Sequence, residues 1–155
     1  MIGGADEPLY LPGRTGRRAR LFYREDFVAS ALHEAAHWCI AGEQRRRQVD
    51  FGYAYEPPPR TVLAQSRFFA TELKTQALEW WFAEAAGIDF KASADNLAPS
   101  VGKDLGKDVG MDAFTDKLVR AQPAVEDWLS RTSGARAQLF SQALQALRCE
   151  IHGPS

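Results

Sequence analysis

The chain has 155 residues, a length that suits one compact domain with a single hydrophobic core, so we expect residues 1–155 to form one domain. Apolar residues make up 45% and charged residues 25% of the chain, which is typical of a globular protein and excludes an intrinsically disordered one. The formal net charge of -1 gives no electrostatic support for direct binding of nucleic acid or of an anionic membrane.

The sequence also bears on the cellular compartment. Its longest apolar stretches are short and interrupted by charges, so no segment predicts a membrane span. The two cysteines, Cys39 and Cys149, are far apart in the chain and form no Cys-x-x-Cys pair. This cysteine usage is typical of a reducing compartment, and we expect a cytoplasmic protein.

The first third of the chain predicts an extended arm, a strand and a helix. Glycine, proline and arginine dominate residues 1–20, which we interpret as an extended surface arm with one strand-like piece at 9–11, and residues 21–23 predict a short strand. Asp26 can cap a helix that runs from about residue 27 to residue 40. Gly42 suits the left-handed position that often ends a helix.

The middle of the chain changes from one periodicity to another. Apolar and small or polar residues alternate from Val49 to Tyr55, which predicts a strand, and a second strand is expected at 61–64. A largely apolar helix then begins between residues 68 and 75 and ends at Gly87.

The last third predicts a surface loop over residues 93–110, because four glycine and proline breaks fall there. Two amphipathic helices follow between residues 112 and 149, at about 112–130 and 135–149. Strands near the start and helices throughout predict an α+β fold.

The strongest functional signal is the run His33-Glu34-Ala35-Ala36-His37 in the first helix. Histidines four residues apart lie on one helix face, one turn apart, where both imidazoles can bind one metal ion. Glu34 occupies the position from which metal-dependent hydrolases direct a carboxylate at metal-bound water. The alternative is two unrelated histidines, which the predicted half-buried helix disfavours.

A third ligand is expected on the second long helix. At 100° per residue, Glu72, Gln76 and Glu79 form one polar stripe on an otherwise apolar helix. We predict Glu72 as the third metal ligand, with Gln76 and Glu79 orienting it or the histidines, and Glu79 as the substitute ligand if Glu72 points away. The alternative is that this stripe faces solvent.

Several segments, in this order, resemble the elongation factor P hydroxylase family. The resemblance covers about Asp6 to Leu97 and rests on Asp6 to Pro12, Ala29 to Gly42, Asp50 to Tyr53, Gln76 to Trp80 and Asp95 to Leu97. The chain departs from the family pattern at Ala54 and Thr75, where the resemblance implies Trp and Pro.

The resemblance implies an iron-dependent monooxygenase that hydroxylates a modified lysine of translation elongation factor P, with molecular oxygen as co-substrate. It also implies a small zincin-like fold, in which a small sheet packs with the buried histidine helix and with a second helix of the metal site. His33 and His37 match the family's histidines. Zinc bound to the same motif would instead support a peptidase or other hydrolase, which is the alternative function. A non-catalytic protein with a structural metal is disfavoured, because three protein ligands leave a coordination position open.

Such a substrate implies a pocket for a long cationic side chain. Asp50, Tyr53 and Tyr55 are the candidates, since aromatic rings and an acid bind a cation together. The alternative is that the tyrosines belong to the core and Asp50 to a turn. Arg45, Arg46 and Arg47 are expected to dock the acidic partner protein, unless they remain solvated at the end of the helix.

Overall fold

A computed structural model describes residues 1–52, 61–93 and 107–153. Within these ranges the chain forms two short β-strands and four α-helices, so the fold is α+β and mostly helical. No helix in the described part is long and apolar enough to cross a membrane. The elements are β1 (Leu9–Leu11), β2 (Arg20–Phe22), α1 (Val28–Ile40), α2 (Val62–Ala86), α3 (Lys107–Leu129) and α4 (Ala135–His152).

Strands β1 and β2 form an antiparallel pair in which Tyr10 lies opposite Leu21. Both side chains are buried, and they pack with Ala41 and Trp38 at the end of α1. The phenol of Tyr10 donates a hydrogen bond to the carbonyl of Arg46 at 3.0 Å. The small sheet therefore packs against the end of the helix that carries the histidine motif.

Helix α1 occupies nearly the predicted range, and its buried residues follow the helical spacing of one face: Leu32, Ala35, Ala36 and Cys39. Both predicted end signals are wrong. The N-cap residue is Phe27, without a side-chain cap, and the carboxylate of Asp26 accepts a 3.4 Å hydrogen bond from the phenol of Tyr23 instead. The helix ends at Ala41 with φ of -60°, and Gly42 does not adopt the left-handed conformation.

Helix α2 is the centre of the fold and packs against α1, α3 and α4. Leu78 and Phe82 are fully buried in its core-facing side. The predicted end of α2 at Gly87 is confirmed, since Gly87 has φ of +72°. The N–H of Gly87 donates to the carbonyl of Glu84, and the N–H of Ile88 donates to the carbonyl of Ala83. This pair of bonds is a Schellman motif, in which glycine takes the left-handed position without a steric penalty.

The two strands predicted for the middle of the chain are wrong where the structure describes them. Residues Val49–Gly52 form a 3-10 turn, because Asp50 has φ of +51° and its carboxylate accepts a hydrogen bond from the N–H of Tyr10 at 2.9 Å. This hydrogen bond to β1 favours the turn over the strand that the alternation of apolar and polar residues predicted. Residues predicted as the second strand belong to the start of α2, whose N-terminal half packs Phe69 and Leu73 on the core.

Both predicted C-terminal helices are present, with α3 beginning earlier and α4 ending later than expected. Leu118 and Val125 of α3 and Ala137 of α4 complete the core around α2. The predicted loop over residues 93–110 falls mostly outside the described residues, and its last part belongs to α3.

Candidate metal centre

Helices α1 and α2 bring together the side chains of His33, His37 and Glu72. The two imidazoles lie one turn apart on α1, with ring centroids 4.8 Å apart and ring planes at 78°. Nε2 of His37 lies 3.3 Å from Oε1 of Glu72, and Nε2 of His33 lies 3.7 Å from Oε2 of the same carboxylate. Each residue offers one ligand atom, and these atoms all lie within 4.8 Å of one another.

The two distances between histidine nitrogens and Glu72 are close to those expected of ligands on one metal ion. Two ligand atoms that each lie about 2.1 Å from one ion, at angles between 90° and the tetrahedral value, are about 3.0–3.4 Å apart. The 3.3 Å between His37 and Glu72 falls in this range, and the 3.7 Å between His33 and Glu72 lies just outside it. Two imidazole nitrogens and one carboxylate form a donor set that zinc and non-heme iron both accept.

The Nδ1 atoms of the two imidazoles have separate partners on α2. Nδ1 of His33 lies 2.8 Å from Oε2 of Glu79, and Nδ1 of His37 lies 3.3 Å from Oγ1 of Thr75. Hydrogen bonds of this kind fix the orientation of a metal-binding imidazole and leave Nε2 free for the ion. In this arrangement Glu72 faces both Nε2 atoms, whereas Glu79 contacts the opposite nitrogen of His33.

The electrostatics of His33 reflect these carboxylates. Burial lowers its pKa, but the hydrogen bond and charge of Glu79, together with the charges of Glu72 and Glu34, outweigh burial and raise the pKa to about 9. Without a metal the imidazole is therefore held in its protonated form at neutral pH. A bound cation would take the place of that proton between the carboxylates.

Glu34 lies next to His33 on α1 and is half-buried. Burial raises the pKa of its carboxyl, the charges of His37 and His33 lower it, and the nearby Glu72 and Glu79 raise it. The net direction is upward, so this carboxyl holds a proton more readily than an exposed glutamate. A group of this kind beside a metal centre can accept or donate a proton.

Among the residues that the structure describes, the imidazoles of the candidate centre are more exposed than its carboxylates. The exposed fraction of the side chain is 27% for His33 and 15% for His37, whereas Glu72 and Glu79 each retain 9%. His33 is therefore the most exposed of these four side chains. An open position beside three protein ligands is typical of catalytic metal sites, since structural sites are closed by a fourth ligand.

Gln76 is buried on the same face of α2, but its hydrogen bonds go to a different element. Its amide nitrogen donates to the carbonyl of Ser93 at 2.7 Å, and its amide oxygen accepts from the N–H of Ser93 at 2.9 Å. Nearby, the rings of Trp80 and Phe90 stack with centroids 5.2 Å apart. Gln76 thus holds the segment that follows α2 against the helix that carries Glu72.

The predicted substrate residues are only partly described. Asp50 is exposed, and one of its carboxylate oxygens is engaged by the backbone of Tyr10. Tyr53 and Tyr55, together with Ala54, lie outside the described residues. Their predicted role therefore stays a prediction.

The three arginines after α1 have different surroundings. Arg46 donates a hydrogen bond to the carbonyl of Ala41, and its guanidinium lies 5.9 Å from the ring centre of Trp38. Arg47 forms an exposed ion pair with Glu43 at 2.6 Å. Arg45 is half-buried. The cluster is therefore not three equivalent solvated charges, and its role in docking stays a prediction.

Thr75 contacts this site, although the sequence singled it out only as a departure from the family pattern and not as a site residue. It follows Glu72 by three residues and precedes Glu79 by four, so it lies on the same polar stripe of α2. The helical spacing that selected the two glutamates and Gln76 also includes this threonine. Its hydroxyl is fully buried beside His37.

Comparison with known proteins finds a matching family and a similar protein. The model of the family described as Elongation factor P hydroxylase matches residues 1–150. A protein of Haemophilus influenzae named "Elongation factor P lysine hydroxylase" is 47% identical over 103 residues, which are 66% of this chain and 58% of that protein. The match thus spans less than two thirds of the length of this relative.

Proposed function

The chain belongs to the elongation factor P hydroxylase family, and on this basis we propose that it is an iron-dependent monooxygenase that hydroxylates a modified lysine side chain of translation elongation factor P. The observation that carries the proposal is that His33 and His37 of α1 and Glu72 of α2 each offer a ligand atom, and that these atoms lie within 4.8 Å of one another. A substrate that is part of the translation apparatus would place the protein in the cytoplasm. The zincin-like character expected of the fold is part of the same proposal.

Hydroxylation of an unactivated carbon needs an oxidant stronger than any side chain. Iron(II) supplies that chemistry when it is held by two histidines and one carboxylate with positions left open for dioxygen. Zinc has no accessible redox change and would instead serve a hydrolase. The family match favours the hydroxylase, and it gives no support to the peptidase alternative.

The residues of this chain have distinct tasks in the proposed reaction. His33 and His37 would bind iron through Nε2, and Glu72 would add a negative charge that offsets the charge of the cation. Glu79 would keep the hydrogen of His33 on Nδ1 and so hold that ring in place. Glu34 would hold or move a proton near the centre, as the raised pKa of its carboxyl suits.

The test combines metal analysis with a mass measurement. The protein is purified without oxygen, loaded with iron(II), and incubated with elongation factor P carrying the modified lysine, an external reductant and dioxygen. We expect the intact substrate to gain the mass of one oxygen atom only when iron is present. Peptide cleavage in the absence of oxygen would favour the hydrolase.

Three variants make the test specific for the site. His33→Ala and His37→Ala are each expected to lose bound metal and activity together, because each removes one of the three proposed ligands. Glu84→Gln is the matched control, since Glu84 is an exposed acid on α2. Stoichiometric iron in either histidine variant would overturn the ligand assignment.

A further inference from the structure

Thr75 lies at the point where α2 approaches His37, and the structure gives its hydroxyl two neighbours. Oγ1 lies 3.0 Å from the carbonyl oxygen of Thr71, one turn earlier on the same helix. It also lies 3.3 Å from Nδ1 of His37 on α1. The side chain is fully buried, so no water competes for either contact.

Hydrogen counting relates these two contacts. A hydroxyl has one hydrogen to donate and lone pairs with which to accept. The carbonyl of Thr71 can only accept, so the shorter contact uses the hydrogen of Thr75 and leaves a lone pair of Oγ1 directed at His37. A neutral imidazole that binds a metal through Nε2 carries its hydrogen on Nδ1. In that state the Nδ1–H of His37 is the donor and Oγ1 of Thr75 is the acceptor across the 3.3 Å contact.

We propose that Thr75 is a positioning residue, which accepts the Nδ1–H of His37 when Nε2 of that ring binds metal and directs its own hydrogen to the carbonyl of Thr71. This inference rests on the proposed metal site. It explains why a hydroxyl belongs to the polar stripe of α2: it sets the tautomer and the orientation of the second histidine ligand.

The two histidines would then have unequal partners. An ionised carboxylate such as Glu79 can only accept, so it holds the hydrogen of His33 on Nδ1. The hydroxyl of Thr75 can donate as well as accept. Before a metal binds, Nε2 of His37 lies 3.3 Å from Glu72 and can carry the ring hydrogen, and Nδ1 can then accept a hydrogen bond from Thr75. Rotation of one hydroxyl is sufficient to change from donating to accepting.

A purely structural role is the competing account, because threonine in a helix often donates to the carbonyl four residues earlier. Thr71 offers a matched control on the same helix. Its hydroxyl donates to the carbonyl of Arg67 at 3.0 Å, which is the same backbone bond without the contact to a histidine. A general effect of losing such a backbone bond would also appear in Thr71→Val.

The experiment measures two quantities separately: the affinity for zinc, and the rate at which the Nδ1 hydrogens of the two histidines exchange with solvent. Thr75→Val keeps the shape of the side chain and removes the hydroxyl, Thr75→Ser keeps the hydroxyl, and Thr75→Ala is a smaller second variant in case valine does not fold. Zinc dissociation constants are measured by competition with a chromophoric chelator. Proton NMR of the cobalt(II)-loaded protein in water follows the exchangeable Nδ1–H signals of the two ligands.

We expect Thr75→Val to weaken zinc binding by about 10-fold to 100-fold, the range found when an outer hydrogen-bond partner of a metal ligand is lost. Thr75→Ser should retain most of the affinity and Thr71→Val all of it. The exchangeable signal of His37 should exchange with solvent faster in Thr75→Val, and that of His33 should not change.

Two results would overturn the role of Thr75. The first is unchanged zinc affinity together with an unchanged His37 signal in Thr75→Val and Thr75→Ala. The second is an equal loss of affinity in Thr71→Val, which would assign the effect to the helix. A parent protein that binds neither zinc nor cobalt would overturn the metal site itself, and with it this inference.

Discussion

Glu79 on α2 lies 2.8 Å from Nδ1 of His33 on α1, while Glu72, two turns earlier on α2, faces Nε2 of the same ring. One helix thus presents a carboxylate to each nitrogen of a single imidazole. The two glutamates are alike in composition and burial, but they stand on opposite sides of the histidine. Their substitution should therefore have different consequences.

Glu72→Gln should weaken metal binding more than Glu79→Gln does. The first variant removes the negative charge of the proposed direct ligand, whereas the second removes only the partner of a proposed ligand, which typically costs about 10-fold to 100-fold in affinity. Chelator competition with zinc measures both, with Glu84→Gln as the control on the same helix. The reverse order would identify Glu79 as the third ligand.

Gln76→Leu should lower the stability of the protein and leave the affinity for metal nearly unchanged. The variant removes both hydrogen bonds to Ser93, so the free energy of unfolding should fall by about 1–3 kcal/mol. In a chain of this length the melting temperature would fall by roughly 2–4 °C for each kcal/mol. Thermal unfolding and zinc competition provide the two measurements, and Gln142→Leu on exposed α4 is the control. A large loss of zinc affinity with unchanged stability would contradict this expectation.

Asp50→Asn should show whether Asp50 takes part in substrate binding, because the variant is expected to change KM without changing stability or metal content. Asparagine keeps an oxygen that can accept from the N–H of Tyr10, and it tolerates the positive φ at this position. Only the charge is lost, so we expect an unchanged melting temperature and metal content. If Asp50 contacts the cationic side chain of the substrate, KM should rise roughly 2- to 5-fold, as for an exposed ion pair. A normal KM would exclude Asp50 from the substrate site.

The arginines after α1 should divide into two classes. Arg45→Gln combined with Arg47→Gln should slow association with elongation factor P at low ionic strength and reduce the dependence on salt, because charges at the rim of an interface mainly raise the rate of encounter. Stopped-flow measurements at two salt concentrations test this. Arg46→Gln should instead lower stability, since Arg46 caps the carbonyl of Ala41 and packs near Trp38. Equal association rates of the double variant and the parent would show that the cluster does not face the partner.

The two cysteines should differ in reactivity. Burial raises the pKa of Cys39 to about 12, and the charges of Arg136 and Arg46 only partly oppose this shift. Since the thiolate is the reactive form, Cys39 should resist alkylation at pH 8 in the folded protein. Cys149 is exposed and should react. Iodoacetamide treatment followed by peptide mass analysis, native and in denaturant, measures this, and rapid native labelling of Cys39 would contradict its burial.

Some features of this protein follow from local spacing and were predictable from the sequence. The four-residue separation of His33 and His37 requires both rings to lie on one face of any helix that contains them. The same helical arithmetic places Glu72 and Glu79 on one stripe of α2, and burial of both side chains agrees with the prediction that this stripe is not a solvent face. Gly87 ends α2 as expected, because its left-handed conformation depends on a single residue.

Other features depended on contacts between residues distant in the chain. The alternation from Val49 onward predicted a strand, but the bond between Asp50 and the backbone of Tyr10, forty residues apart, selects a 3-10 turn. The tertiary structure also decided which nitrogen of His33 each glutamate faces, since this depends on how α1 packs across α2. Helical periodicity fixes the direction of a side chain only relative to its own axis. The distance and angle between two axes come from the packing of the whole core, and a single sequence does not contain them in any local pattern.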